Sequence, residues 1–308
     1  MSEASFSQFI RLLAAQQHQQ VAQSMKFNLG KSIPTNMSIN RGPDFTAIKA
    51  RQNAAWSSGD FSKIGMTFQI TGEELAEATN PYPGSKVLDV AGGNGNAALA
   101  FARRWCDVTS TDYVQSLLDS GRSRAEAEGL DIDFQVADAE NLPFENSSFD
   151  IVASTFGVML TPNQMRAATE LMRVCRSGGK VAIANWTPRS FIGALFDTLD
   201  IYVPPPTGIR SPAQWGDLNW IDEAFSPSAE VIVMNLKNFN FRYPTAGHFI
   251  DFFRTWFGPV HGAFQALDEA GQLKLNDDIL AVIEMFNVAT DGSMIMPSEY
   301  VEVVITKA

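Results

Sequence analysis

Cysteine is almost missing from this chain of 308 residues: Cys106 and Cys175 are the two present. Two thiols exclude a disulfide framework, a cysteine-rich zinc site and an iron–sulfur ligand set. Histidine is nearly as scarce, with His18, His248 and His261 alone, and no metal is expected. Basic residues are in deficit, 23 Lys and Arg against 34 Asp and Glu, which leaves a formal charge of -11. Such a balance gives no long-range attraction to nucleic-acid phosphates or anionic membranes. No apolar run approaches the ~20 residues that cross a bilayer. The start fits neither a signal nor a transit peptide, since Glu3 comes early and Arg11 is the one basic residue before Lys26. What the chain does have is apolar: 45% of it is hydrophobic and 19% charged, enough to build a sizeable core and to exclude global disorder. The expectation is a soluble cytoplasmic protein with neither nucleic acid nor membrane as partner.

At roughly 150 residues per domain, the length suggests two domains or one large α/β domain with additions. Residues 1–45 read as an N-terminal extension, marked by Gln16-Gln17-His18-Gln19-Gln20, and 46–83 as a helical lid. From residue 84 the pattern turns regular. Lys86–Ala91, Val108–Thr111, Ile132–Val136, Phe149–Thr155 and Lys180–Trp186 read as strands. Helical segments reach Trp105 after the first, and span Val114–Glu128 and Gln164–Arg176 between later ones. This alternation predicts βαβ units and a largely parallel sheet covered on both faces. Val231–Arg242 alternates as another strand, Ala246–Phe257 and Ala263–Ala289 look helical, and Tyr300–Ile305 suits an appended antiparallel strand. The fold class is α/β: a Rossmann-like, doubly wound, mostly parallel sheet with an antiparallel C-terminal strand and a helical cap.

Ligands of such sheets sit at the carboxyl ends of the strands, where this sequence places its glycines and acids. Gly92-Gly93-Asn94-Gly95 closes the first strand, and glycines there let backbone approach a ligand beside a helix N-terminus. Gly93-Asn94-Gly95-Asn96-Ala97-Ala98 also satisfies the G-x-G-x-x-G/A dinucleotide pattern, with Asp112 at the ribose spacing, so a nicotinamide or flavin enzyme competes. Asp89, inside the first strand, suits an ammonium or a nearby cationic centre. Asp138, after the third, suits an adenine amino group, with neighbouring backbone completing the base contact. Taken singly, Asp89 could instead cap the turn, Asp112 the next helix, and Asp138 could be a plain turn residue.

As an ordered set over about residues 84–186, these motifs resemble the class I S-adenosylmethionine-dependent methyltransferases, most closely the small-molecule group that contains the quinone-biosynthesis enzymes. Val87-Leu88-Asp89-Val90-Ala91-Gly92-Gly93-Asn94-Gly95 is similar to the family's first motif. Thr111-Asp112-Tyr113 resembles its ribose motif, with Leu117 at the position that packs on adenine. Ala137-Asp138-Ala139-Glu140 resembles the adenine motif, and Phe149 to Phe156 the fourth strand and active-site lip, including Thr155. The resemblance implies S-adenosylmethionine as cofactor, held by these residues, and methyl transfer to a small molecule. Two departures stand out. Ala91 replaces the usual first glycine, and Ser154-Thr155-Phe156-Gly157 stands where enzymes acting on amide or base nitrogens carry Asn/Asp-Pro-Pro-aromatic. The second points away from nucleic-acid bases, toward oxygen or sulfur.

The rest of the chain is expected to recognise the acceptor, through insertions at 187–230 and 244–297 within a methyltransferase domain spanning 84–308. Trp56, Trp186, Arg254 and His261 are the acceptor-site candidates, His261 also as a general base; an aromatic covering the sheet and a surface or helix-cap histidine are the plainer readings. Two functional alternatives stay open. One is an NAD(P)-dependent oxidoreductase, which lacks a Tyr-x-x-x-Lys pair here and leaves Asp89 and Asp138 without a role. The other is a non-catalytic S-adenosylmethionine-binding module.

Overall fold

The computed structural model describes residues 42–308. The glutamine-rich stretch and nearly all of the expected N-terminal extension lie outside the described residues. Among the described residues three helices precede the sheet, Phe45–Ser58 (α1), Ser62–Gly65 (α2) and Gln69–Thr79 (α3), with a 3-10 turn at Met66–Phe68. The alternating segment then supplies Lys86–Val90 (β1), Asn96–Ala102 (α4), Asp107–Asp112 (β2), Gln115–Glu128 (α5), Asp133–Val136 (β3), Phe149–Thr155 (β4), Gln164–Val174 (α6) and Cys175–Trp186 (β5). The remainder adds Phe191–Tyr202 (α7), Leu218–Phe225 (α8), Ala229–Tyr243 (β6), Ala246–Trp256 (α9), Gly258–Gln265 (α10), Glu269–Phe286 (α11) and Met294–Lys307 (β7).

All seven strands form one sheet in the order β3-β2-β1-β4-β5-β7-β6. From β3 to β5 the pairs are parallel. β7 enters antiparallel between β5 and β6, running from Lys180↔Thr306 to Trp186↔Tyr300 along β5. An open dinucleotide-binding sheet would continue with a parallel sixth strand beside the fifth; this one does not. The order in which strands are added reverses between β1 and β4, which makes their carboxyl ends the switch point where a crevice opens.

Sequence explains the central layer directly. β1 is buried after its first residue, as a strand covered on both faces must be, and it is apolar except at Asp89. Every residue of α4 is buried, and four of its seven are alanines, so the helix lies close against the sheet. Capping side chains fix later helix starts: Asn163 accepts from Arg166 N, Ser190 from Gly193 N and Asp217 from Trp220 N.

Three expectations needed revision. The sixth helix ends at Val174 rather than Arg176, because Cys175 already pairs with Phe149 and the Gly178-Gly179 turn is a bulge within β5. The stretch expected to be helical over 263–289 is broken at Leu267-Asp268, where the Asp268 carboxylate accepts from Gly271 N and starts a new helix. The insertion at 187–230, to which the sequence reading assigns no helix, is the third. It contains α7, a 3-10 turn at Pro212–Gly216 and α8, and α7 inserts Phe191 among Phe241, Phe249 and Phe286.

Candidate active site

The cleft opens at the carboxyl ends of β1, β2 and β4, and its floor is the glycine turn. Gly93 takes φ +56°, a left-handed backbone that favours glycine, and a Cβ on Gly92 would meet Asp89 Oδ2 at 2.5 Å. Ala91 takes φ +51° despite its side chain. The neighbouring lip accommodates it, since any Cβ on Gly157 would stand 2.1 Å from the Ala91 carbonyl oxygen. The missing first glycine is therefore met by strain at Ala91 and an obligatory glycine opposite. Phe156 is also left-handed, at φ +56°, and its ring stacks on Trp186 at 4.0 Å, 3° from parallel. Backbone strain of this kind persists where surrounding packing imposes it, commonly at functional sites.

Asp89 and Asp112 are both buried, at 1% and 5% exposure. Asp89 Oδ2 accepts from Ala98 N at 3.0 Å, while Oδ1 has no partner among the described residues. Burial, reinforced by nearby Asp112 and only partly opposed by the Ala98 bond and the adjacent Ser110 hydroxyl, raises its pKa to about 7. Asp112 spans the turn: Oδ2 accepts from Gly93 N at 3.0 Å and Oδ1 from Val114 N at 2.9 Å. Burial raises its pKa to about 6 against those backbone bonds. Thr155 Oγ1, on the β4 end, is a second buried polar atom without a partner. Such orphans cost about 1–3 kcal/mol each unless a ligand satisfies them. A carboxylate oxygen and a hydroxyl, both facing one cleft, fit a ligand that brings an ammonium or other donors.

On the far side Asp138 Oδ1 accepts from Glu140 N at 2.9 Å, and its Oδ2 lies 2.6 Å from Lys49 Nζ. Lys49 also reaches Glu140 Oε2 at 3.0 Å. Burial works against the ammonium, but these carboxylates hold its pKa above the ordinary lysine value. Lys49 belongs to α1, and the same helix face is tied down twice more: Gln52 Nε2 donates to Leu160 O at 3.2 Å and Asn53 Nδ2 to Tyr113 O at 2.7 Å. Residues at i, i+3 and i+4 share a helix face, so α1 roofs the loops that follow β2, β3 and β4. Below it, Asn96 Nδ2 donates to Gly65 O at 2.7 Å and Asn94 Nδ2 to Ser62 O at 3.3 Å, joining α2 to the glycine turn.

The structure brings together Asp89, Ala91, Gly92, Gly93, Asn94, Asp112, Tyr113, Leu117, Asp138, Ala139, Thr155, Phe156 and Trp56 around one cleft. Gly95 and Glu140 support it from behind: Gly95 starts α4 at φ +84°, and Glu140 is buried against Lys49 and Asn163 N. Three acceptor-site candidates are not in the lining. Trp186 is covered by the Phe156 ring that stacks on it. Arg254 is exposed above the Phe264 ring, and His261 Nδ1 is engaged with Arg254 O at 2.9 Å. Both border a shallow depression with Asp251 and Gln272 that shares no residue with the cleft. Helix α10 turns His261 toward α9 and away from the cleft lining. Sequence reasoning missed Lys49, Gln52, Phe68, Leu160 and Pro162. Lys49 and Gln52 precede the recognisable motifs by some forty residues, and only folding of α1 over the sheet makes them neighbours.

A family model described as a methyltransferase domain matches residues 87–179. An uncharacterised protein of Mycobacterium tuberculosis (strain ATCC 25618 / H37Rv) is 34% identical over 218 residues, 70% of this chain and 80% of the relative. A ubiquinone/menaquinone biosynthesis C-methyltransferase of Ruegeria sp. (strain TM1040) is 25% identical over 217 residues, 64% of this chain and 87% of its own. Among solved structures, a putative methyltransferase from Bacillus halodurans C-125 has the same fold, with a TM-score of 0.55 at 21% identity over 76% of this chain and 98% of its own. With the ordered motifs and the antiparallel seventh strand already in place, the chain belongs to the class I S-adenosylmethionine-dependent methyltransferase family.

Proposed function

We propose that the protein methylates an apolar small molecule at oxygen or sulfur, and that the acceptor brings its own ionisable nucleophile. The observation that carries this reading is a cleft lined by two chemistries. Asp89, Asp112 and Asp138 supply carboxylates, and Trp56, Phe61, Phe68 and Phe156 form a connected aromatic cluster in the same lining. Each acid already has a structural hydrogen bond or ion pair. Lys49 is ion-paired, and burial together with nearby carboxylates pushes the Tyr113 phenol above its ordinary pKa. No histidine or cysteine lines the cleft among the described residues. A phenol or thiol ionises without strong base catalysis, whereas an alkyl hydroxyl needs a base.

S-adenosylmethionine supplies a sulfonium-activated methyl group to such a nucleophile. In this reading Asp89 Oδ1 accepts from the cofactor's ammonium, Asp112 from ribose hydroxyls and Asp138 from the adenine amino group. The aromatic wall keeps water from the reacting centre and aligns the acceptor in line with the methyl–sulfur bond. α1, fastened through Lys49, Gln52 and Asn53, holds the roof closed over both ligands.

A second reading, transfer to carbon, is supported by the Ruegeria relative's name. Incubation with trideuteromethyl-labelled cofactor and separate phenol, thiol and hydroquinone acceptors distinguishes the two by mass spectrometry. The expected products are labelled ethers or thioethers. Label bonded only to ring carbon would overturn the oxygen or sulfur assignment while preserving methyl transfer.

A further inference from the structure

Next to the cofactor cleft lies a second cavity that shares Gln52, Trp56, Leu160, Thr161 and Pro162 with it. The Gln52–Leu160 hydrogen bond forms the sill between the two. Most of the second cavity is apolar: Ile48 and Ala55 on α1, Met159 beyond β4, Phe196 and Leu199 on α7, and a wall of Pro204, Pro205, Pro206 and Pro212. Proline rings give such a wall a fixed shape, since φ is locked and no amide donor faces the ligand. The cavity therefore presents a rigid apolar slot that adjoins the cofactor cleft through the residues the two share.

Three charged side chains border the slot: Arg51, Arg210 and Asp200. Neither arginine has a carboxylate partner among the described residues. Arg51 makes one long bond, Nε to Ala47 O at 3.4 Å, and Arg210 makes none. Arg122, Arg124, Arg242 and Arg254 likewise lack a carboxylate partner among the described residues, but Arg51 and Arg210 are the two that border this slot. Asp200 is not ion-paired to either arginine. Burial, with Asp197 nearby, pushes its carboxyl up to about 6, so at neutral pH it remains ionised and the lining carries two positive charges against one negative. The slot thus joins an apolar body to a net cationic rim built from planar, bidentate guanidinium groups suited to a carboxylate or similar oxyanion.

We propose that this slot is the acceptor site and that Arg51 and Arg210 select an apolar methyl acceptor bearing an anionic group. The inference rests on the small-molecule reading above, and adds to it the chemical class of the acceptor: an amphiphilic organic acid, with its nucleophile entering past Gln52 and its anion left at the rim.

The test uses the full chain and two fluorescent probes of similar apolar body, 1-anilinonaphthalene-8-sulfonate and the uncharged N-phenyl-1-naphthylamine. The sulfonate is expected to bind at least tenfold more tightly. Arg51→Gln and Arg210→Gln should each weaken it about fivefold, and the double variant should abolish the preference while leaving the uncharged probe within twofold. Arg242→Gln, an exposed arginine on β6, controls for general loss of positive charge. Equal binding of the two probes to the parent protein, or a preference that survives in the double variant, overturns the proposal. S-adenosylhomocysteine is titrated into the same samples. Its binding without probe discrimination refutes the anion-selective slot alone, whereas its failure to bind the parent protein refutes the underlying cofactor-site reading.

Discussion

Lys49 Nζ lies 2.6 Å from Asp138 Oδ2, across 89 positions of sequence, and this contact joins the roof helix to the loop that the methyltransferase resemblance assigns to adenine. The lysine also touches Glu140, whose side chain is 4% exposed, so one ammonium bridges two carboxylates at the cleft edge and leaves one negative charge uncompensated. In the proposed reading, cofactor binding and the seating of α1 depend on the same ion pair.

Lys49→Met removes that charge while keeping the apolar stem. Breaking a fully buried pair costs about 3–5 kcal/mol, and partial exposure of Lys49 and Asp138 reduces this to about 1–2 kcal/mol. We expect a lower unfolding midpoint in urea, faster proteolysis within α1 and several-fold weaker S-adenosylhomocysteine binding. Unchanged proteolysis of α1 would contradict the role of Lys49 as its fastening.

Asp112 combines two backbone bonds with the proposed ribose contact. Asp112→Asn keeps the size but substitutes an amide for one carboxylate oxygen, placing a donor against a backbone N–H or a ribose hydroxyl. A charge-assisted hydrogen bond is worth about 1.5–3 kcal/mol, so cofactor affinity should fall roughly tenfold to a hundredfold. Calorimetry on the folded variant checks it, and parent-like affinity would reject the ribose assignment.

Asp89 gives the site a pH dependence. Its folded pKa, about 7, lies above the ordinary carboxyl value of 3.8, so between those values the folded state binds more protons than the unfolded one. Its contribution consequently weakens stability as pH rises from about 4 to about 7, the reverse of a salt-bridged carboxylate. An incoming ammonium favours the ionised form. Cofactor affinity should therefore rise from pH 5.5 to 7.5, with proton release visible as a binding enthalpy that varies with buffer ionisation. Asp89→Asn should remove the part of the buffer dependence that Asp89 supplies.

Gly157 has no room for a side chain, because its Cβ would stand 2.1 Å from Ala91 O and 2.8 Å from Ala91 Cβ. Gly157→Ala should destabilise by about 1–3 kcal/mol through overpacking. Ala91→Gly relieves a left-handed alanine but adds unfolded-state entropy, and the two effects, each about 1 kcal/mol, should nearly cancel. Chemical denaturation of both variants gives the comparison; equal losses would contradict the proposed crowding.

The central sheet was readable because parallel strands buried on both faces carry near-continuous apolar runs, and because glycines and acids mark their carboxyl ends. That is how Asp89, Asp112 and Asp138 could be placed before any coordinates. Lys49 and Gln52 were not readable: α1 has no marked apolar stripe, and its partners are remote loops. Arg254 and His261 misled for the opposite reason. An aromatic-rich segment looks like a binding site, yet Phe249, Phe253 and Phe264 are buried as helix core, leaving the polar residues between them on the outer surface. Ala91 was legible as a departure from pattern, but its compensation at Gly157 depended on how β4 ends beside β1.

The most direct test of the central claim is calorimetric titration of the protein with S-adenosylhomocysteine and, separately, with NADH, repeated on Asp112→Asn. Micromolar binding of the first, none of the second and at least tenfold loss in the variant is the predicted result. Binding of NADH alone would contradict the assignment of this cleft to S-adenosylmethionine.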